Sequence, residues 1–290
     1  AIELVDYTTQ PNGHEYGFNG GFTLGGKAYL VPGKRTHKAA TGRFLRFNPN
    51  NPADFEELDL QATDPRLVGF AGGFGYGNHA YLTGGAGLVA KVDVSDFKTV
   101  EVWDWKSTTL ELAELGTAWY SNGYGYTTSS EPTWNTYPAA SFVRFNLASG
   151  ETERFTFNLR GVYGVGTSFA DSAGRYAIIY FNRDKCYYQL VRVDLSTFPD
   201  SSSISVMTDL STKFASWTMS DGISYIKGGF EKDGFVYLTH FGRHITRFSM
   251  EDWVDGAFTL VNLFPLGAVS YVLGALCDGK YLYVLPEINL

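Results

Sequence analysis

The two histidines of the segment HFGRH, His240 and His244, are the residues whose type and spacing come closest to a catalytic or metal-binding pattern. On a helix, this spacing would place both imidazoles on one face, where they could bind a metal ion together with a third ligand. The segment instead follows an alternating run typical of a strand, so it spans a turn. We therefore expect histidines on a solvated loop, with no metal or other cofactor. A metal site completed by a ligand from elsewhere stays open as the alternative.

The loop SSEPTWNTYP has the composition of a sugar-binding surface. It contains Glu131, Trp134, Asn135 and Tyr137. An exposed tryptophan beside amide and carboxylate groups suits the apolar face and hydroxyl rim of a sugar ring. The alternative is that Trp134 folds back over its own sheet, as large aromatic side chains in loops often do.

Basic side chains recur in several other loops. Arg35 and His37 lie in GKRTHKAATG, Arg66 follows the strand that ends at Asp59, Arg183 lies in NRDK, and Arg243 lies between the two histidines. Such residues are either solvated tips of hairpins or contacts for an anionic or protein partner. Together with the histidines and the tryptophan loop, they form the predicted ligand-binding set.

Linear motifs of well-known enzymes are absent from the sequence. It contains no HExxH, P-loop, GxSxG or paired CxxC pattern, and the glycines of GGFGYG do not open a helix. The formal net charge of −7 argues against a nucleic-acid partner, and no apolar run is long enough to span a bilayer. Cys186 and Cys277 are too few and too far apart for a disulfide framework, so we expect buried thiols.

An internal repeat defines the elements that must position these loops. An aromatic or large apolar residue is followed seven positions later by a tyrosine in five places, and nine positions later by an isoleucine in a sixth. The pairs are Phe22 with Tyr29, Phe74 with Tyr81, Trp119 with Tyr126, Phe169 with Ile178, Phe230 with Tyr237, and Leu276 with Tyr283. Small residues, often two glycines, usually precede the first member.

Two further strand-like elements complete each unit. The first carries a basic residue in five units, namely Arg46, Lys91, Arg144, Arg192 and Arg247. The second ends in an Asp or Asn, for which we expect a hydrogen bond from a turn amide. We expect the basic residues to pair with the acidic outer strands. The last unit stops after its tyrosine strand, and the segment ELVDY with Asp6, at the other end of the chain, fits its missing outer strand.

Four short strands per unit, repeated about every 45 to 60 residues, are typical of the blades of a β-propeller. The sequence therefore predicts an all-β fold, a single six-bladed propeller domain over residues 1–290. Glycines would lie at the crowded hub, and aromatic residues would fill the wedges between blades. The N-terminal strand would pair with the last blade and make it three-stranded.

The motifs GGF, GxxxYLxP, GxxxRFN and DLxATD resemble the degenerate repeats of uncharacterised propeller-repeat proteins of tailed phages, marine microbes and algae. The resemblance covers nearly the whole chain and is best in the first two units. The third and fourth units depart from it, because other residues replace the glycine pair. It implies the propeller fold and a virion component, and it carries over no catalytic residue.

These observations favour a non-enzymatic module that recognises a glycan or a protein partner through the loop face of a propeller. A virion or extracellular setting is favoured over a membrane. One alternative is a glycoside hydrolase or lyase with its site at the axial mouth, since propeller enzymes take catalytic residues from several blades. The other is a structural subunit of a larger assembly that binds no small ligand.

Overall fold

The computed structural model describes residues 17–33, 40–84, 87–105, 114–130, 140–157, 162–183, 187–198, 200, 203–207, 226–240, 244–253, 258–262, 272–277 and 282–286. This part of the chain is built from antiparallel strands joined by turns and loops. It contains no helix long and apolar enough to cross a membrane.

The strands form five four-stranded sheets and one two-stranded sheet, and within each sheet the strands follow one another in chain order. The first two blades comprise β1 (Phe18–Leu24), β2 (Lys27–Pro32), β3 (Arg43–Asn48), β4 (Asn51–Asp59), β5 (Phe70–Tyr76), β6 (His79–Gly84), β7 (Leu88–Asp93) and β8 (Val100–Asp104). The third and fourth comprise β9 (Glu114–Ser121), β10 (Tyr124–Ser130), β11 (Ala140–Asn146), β12 (Thr152–Phe157), β13 (Val162–Ala170), β14 (Tyr176–Arg183), β15 (Tyr187–Asp194) and β16 (Ile204–Met207). The remaining strands are β17 (Ile226–Lys232), β18 (Phe235–His240), β19 (His244–Ser249), β20 (Thr259–Asn262), β21 (Val272–Cys277) and β22 (Leu282–Pro286).

The first strands of the sheets lie side by side around a hub, and β21 lies between β17 and β1. This arrangement is a β-propeller. The predicted count of six blades is corrected, because the described residues form five four-stranded blades, with β21 and β22 as a separate two-stranded sheet. The segment ELVDY, predicted to close the ring, lies in residues 1–16, outside the described part of the chain.

The spacing of the repeat sets the register of the first hairpin in each sheet. In the first blade, Phe22 lies opposite Tyr29 because a two-residue turn joins β1 to β2. The other five predicted pairs are also direct cross-strand neighbours. In the four pairs that have two aromatic rings, the rings stack, with centroid distances from 4.9 Å for Phe230 and Tyr237 to 5.7 Å for Trp119 and Tyr126. Such cross-strand contacts stabilise the pairing of the strands.

Glycines lie where neighbouring inner strands approach most closely, as predicted. A Cβ atom on Gly72 would lie 2.9 Å from the Cα atom of Thr117 in the next blade. A Cβ atom on Gly21 would lie 2.5 Å from Leu276 across the junction of β1 and β21. No side chain fits at either position without moving its neighbour.

A β-bulge precedes the glycine pair or its equivalent in every inner strand, a feature that the sequence analysis did not predict. The register shifts between Phe70 and Gly72 in β5, between Ile226 and Gly228 in β17, and at the corresponding place in the other four strands. A bulge increases local twist and bends the strand. Because the bulge occurs at the corresponding position of each inner strand, all six strands bend at the same level of the hub.

The seams between blades form the hydrophobic core. Trp105, Trp119 and Trp253 are buried there, and Trp103 is half-buried, as expected for tryptophans in a repeat. The expectation of buried thiols is wrong for Cys277, which is only half-buried. Cys186 lies outside the described residues.

Candidate recognition face

The topology divides the connections of the propeller between two faces. The links from first to second and from third to fourth strand of each blade lie on one side, which we call the turn face. The links from second to third strand and from each blade to the next lie on the other, which we call the loop face. The longest connection, residues 208–225 between β16 and β17, belongs to the loop face.

Local hydrogen bonds hold the turn face in place. The side chains of Asn48, Asp93, Asn146 and Asp194 each accept a hydrogen bond of 2.8 to 3.0 Å from the backbone amide two residues ahead. Positive φ angles of 48° at Asn122 and 85° at Gly123 are those of a tight hairpin turn. These bonds preorganise the turn face. The predicted Asx bond at the end of an outer strand is present at Asp59, which accepts from the Gln61 amide at 3.0 Å, but this residue lies on the loop face.

The predicted ligand-binding set has eleven residues. Four of them lie in the described part of the chain, in a connection or at strand ends of the loop face, namely Arg66, Arg183, His240 and His244, and Arg183 is the last residue of β14. The other seven lie outside it, namely Arg35, His37, Glu131, Trp134, Asn135, Tyr137 and Arg243.

Arg66 connects the loops that follow two successive blades. Its guanidinium group donates to Asp64 of its own loop and to Asp104 at the end of the second blade, both at 2.7 Å. The arginine lowers the pKa of Asp64 through these hydrogen bonds. The side chain of Arg66 is exposed, so the ion pairs are screened by water. Arg66 thus holds two loops together, and a ligand would have to share it with two carboxylates.

The two histidines are buried strand residues, so the expectation of solvated loop histidines is wrong. His240 ends β18 with no exposed surface, and its Nε2 atom lies 2.6 Å from the hydroxyl of Thr246. His244 begins β19, and its buried Nδ1 atom has no hydrogen-bond partner among the described residues. Among the described residues, no three His, Cys, Asp or Glu side chains form a group that could hold a metal ion.

Strands β6, β9, β10 and β13 contribute a cluster of hydroxyl groups that the sequence did not predict. Thr83 and Thr127 both donate to the carbonyl of Gly116, at 2.8 and 3.1 Å. Thr117 and Ser168 hydrogen-bond through their hydroxyls where the first, second and fifth blades have glycine pairs. The sequence does contain a sign of this cluster, because the third and fourth units have other residues in place of the glycine pair.

One hydroxyl group beside this cluster has no hydrogen-bond partner among the described residues. The hydroxyl of Thr128 is buried and makes no hydrogen bond that the structure describes. It lies on β10, which runs directly into residues 131–139 and Trp134. Buried hydroxyls are usually paired, so this atom marks a place where further polar contacts would be favourable.

The recurring basic residues are architectural, as predicted. The side chains of Arg46, Lys91 and Arg144 pair with glutamates of the outer strands at 2.5 to 2.9 Å. Arg192 and Arg247 lie opposite Ser205 and Thr259 instead, and their guanidinium groups lie over aromatic rings. These five positions stabilise the blades.

No known protein family and no curated protein sequence matches the chain. Among solved structures, 770 chains match its fold. One is the structure of the Neurospora crassa Pan2 WD40 domain, which has a TM-score of 0.58 and 10% sequence identity and covers 96% of this chain and 75% of that chain. At this identity, the likeness supports the propeller fold alone, since one fold hosts many functions.

Proposed function

We propose that this chain is a recognition module that binds a glycan through its loop face. The observation that carries the proposal is the separation of the two faces. Short turns with local hydrogen bonds occupy one side, and the connections that do not repeat from blade to blade occupy the other. Loops presented by a rigid scaffold are where binding residues concentrate.

The chemistry of the loop face favours a neutral polar ligand. Thr127 lies on β10, which leads along the chain into the segment that contains Trp134, Asn135 and Tyr137. Aromatic rings bordered by hydroxyl and amide groups suit a sugar, whereas the net charge of −7 opposes nucleic acid. The basic side chains of Arg35, His37 and Arg243 would contact acidic groups on the glycan or on a protein that presents it.

The biological setting is proposed from the resemblance of the repeat motifs to those of tailed-phage proteins. We propose a component of a virion or of a cell surface, in which the propeller displays its loop face outwards. Flanking capsid or tail genes would support this setting. Flanking genes of central metabolism would contradict it.

We also propose that the whole chain, residues 1–290, is one domain with a closed ring. In this arrangement, ELVDY adds a third strand to the sheet of β21 and β22. The position of β21 between β17 and β1 leaves this sheet as the place where the ring would close.

A glycan array tests the binding proposal. We expect the wild type to bind a group of related glycans and Trp134→Ala to lose at least about tenfold in affinity, because the stacking platform is removed. Tyr124→Ala is the matched control, since Tyr124 is an exposed aromatic residue on the turn face, and it should bind as the wild type does. Binding that is unchanged in Trp134→Ala, or no binding to any glycan, would contradict the proposal. Capture of a protein partner instead would favour the protein-binding alternative.

A further inference from the structure

Two stacked tyrosines form an exposed aromatic surface on the turn face, opposite the loops. Tyr76 ends β5 in the second blade, and Tyr120 lies in β9 of the third. Their ring centroids are 4.2 Å apart, and the ring planes differ by 20°. Tyr76 is 43% exposed, which makes it the most exposed large apolar side chain among the described residues. The pair therefore offers an aromatic ring to solvent at the seam between two blades.

The scaffold does not require aromatic residues at this place. In the seam between the first two blades, the equivalent residues are Leu24 and Gly75. In the next seam along from the tyrosines, Ser121 donates to the carbonyl of Gly174. Each seam thus closes its turn-face end in a different way, so the tyrosine pair is a feature of one position and not of the repeat.

The same seam position differs again between the fourth and fifth blades. There Glu231 accepts a hydrogen bond of 2.7 Å from the amide of Ser172. Burial raises the pKa of the neighbouring Asp171. A polar contact therefore closes this seam, and no aromatic pair is needed there. At the seam of Tyr76 and Tyr120, an exposed tyrosine, stacked on a half-buried one, offers an aromatic face to a ligand.

The tyrosine pair is held in one conformation by its own contacts. The hydroxyl of Tyr120 accepts a hydrogen bond of 3.2 Å from the amide of Gly123. The neighbouring phenol of Tyr120 raises the pKa of Tyr76. Because the rings are fixed before binding, little side-chain entropy is lost when a ligand stacks on them.

The two turns beside the tyrosine pair are uncharged and polar. The turn after Tyr76 consists of Gly77 and Asn78, and the turn after β9 consists of Asn122 and Gly123, all of them exposed. The amide of Asn78 both donates and accepts hydrogen bonds, as a phenol does. No charged residue belongs to either turn, and the hydroxyl groups of a neutral ligand match the turn amides.

We propose that Tyr76 and Tyr120 form a second binding site, on the turn face, for one neutral pyranose ring of a glycan. The C–H face of the sugar would stack on the exposed ring of Tyr76. Its hydroxyl groups would hydrogen-bond to the phenols and to the turn amides. The site lies on the opposite side of the propeller from Trp134, so it stands or falls independently of the loop-face proposal.

The test is a titration of the full chain, followed by NMR, with four probes: methyl α-D-glucopyranoside, methyl β-D-galactopyranoside, methyl α-D-mannopyranoside and N-acetyl-D-glucosamine. We expect saturable binding of at least one probe. Tyr76→Ala should weaken it by at least about tenfold, because the stacking surface is lost. Tyr76→Phe keeps the ring and should retain most of the affinity, which shows that the site and not the fold was altered.

Two controls separate this site from others. Tyr124→Ala removes an exposed tyrosine on the same face whose ring is already covered by the guanidinium group of Arg144, 4.7 Å away, and should leave binding unchanged. Trp134→Ala should also leave it unchanged. Loss of binding in Trp134→Ala but not in Tyr76→Ala would assign the sugar to the loop face and overturn the proposal. Absence of saturable binding by all four probes would overturn it too, as would binding of a proline-rich peptide at Tyr76 in their place.

Discussion

Arg46 shows how a repeated side chain connects one blade to the next. Its guanidinium group donates to Glu56 within the blade at 2.7 Å and to the carbonyl of Val94 in the second blade. It also lies 4.2 Å from the ring centroid of Phe97. Arg192 makes the equivalent bond to the carbonyl of Met250 in the fifth blade. A planar group with several donors can serve all these partners at once, whereas lysine cannot.

The ion pair of Glu56 predicts how stability depends on pH. Hydrogen bonds from Arg46 and Lys27 lower the pKa of Glu56 from its ordinary 4.5 to about 2. Because the pKa is lower in the folded chain, the pair stabilises the fold fully above pH 4.5, and this contribution is lost as the pH falls towards 2. Glu56 is 53% exposed, so solvent screening limits the effect to about 0.5–1 kcal/mol.

We therefore expect Glu56→Gln to lower the free energy of unfolding by that amount at pH 7, and the difference from wild type to vanish near pH 2. Urea denaturation at several pH values measures it. In a protein that already carries Arg46→Met and Lys27→Met, the same substitution should have almost no effect, since the partners are gone. A difference that is equally large at pH 2 and pH 7 would contradict this account.

The inner strands depend on close approach at the hub, and Gly72 tests this at the scale of one element. An added Cβ atom would meet the backbone of Thr117, which cannot rotate away. We expect Gly72→Ala to lower the free energy of unfolding by about 2–3 kcal/mol, as overpacking does. Gly77→Ala, in the turn that ends the same strand, meets no atom within 4 Å but has a φ of 58°, and should cost only about 1 kcal/mol. Equal losses in the two variants would contradict crowding as the reason for glycine at position 72.

The repeat predicted the hairpins but not their interruptions. A seven-residue spacing fixes the register only because the turn has two residues, as between Leu24 and Lys27, so local sequence was enough. The bulge before Gly72 depends on how close the next blade lies, which no single strand encodes. The burial of His240 and His244 was missed for a similar reason. His240 ends β18 and His244 begins β19, and both positions are covered by other parts of the folded chain.

At the scale of the whole molecule, a repeated scaffold supports features that do not repeat. The cluster of hydroxyl groups spans three blades, and the stacked tyrosines belong to one seam. Strand order alone determines on which side of the propeller a connection lies. Among the described members of the predicted set, Arg66 contacts Asp64 and Asp104, and His240 contacts Thr246.

Closure of the ring is the prediction that belongs to the whole molecule. If ELVDY pairs with β22, backbone amides of residues 2–7 should exchange with deuterium as slowly as those of β22, because both would be hydrogen-bonded. Val5→Pro removes a strand donor, so it should speed exchange in both segments and lower Tm by roughly 5–10 °C. Gln10→Pro, outside the pairing segment, should change neither. Immediate exchange of residues 2–7 in the wild type would mean that β21 and β22 complete the propeller without this strand, since an unpaired segment has no slow step to protect its amides.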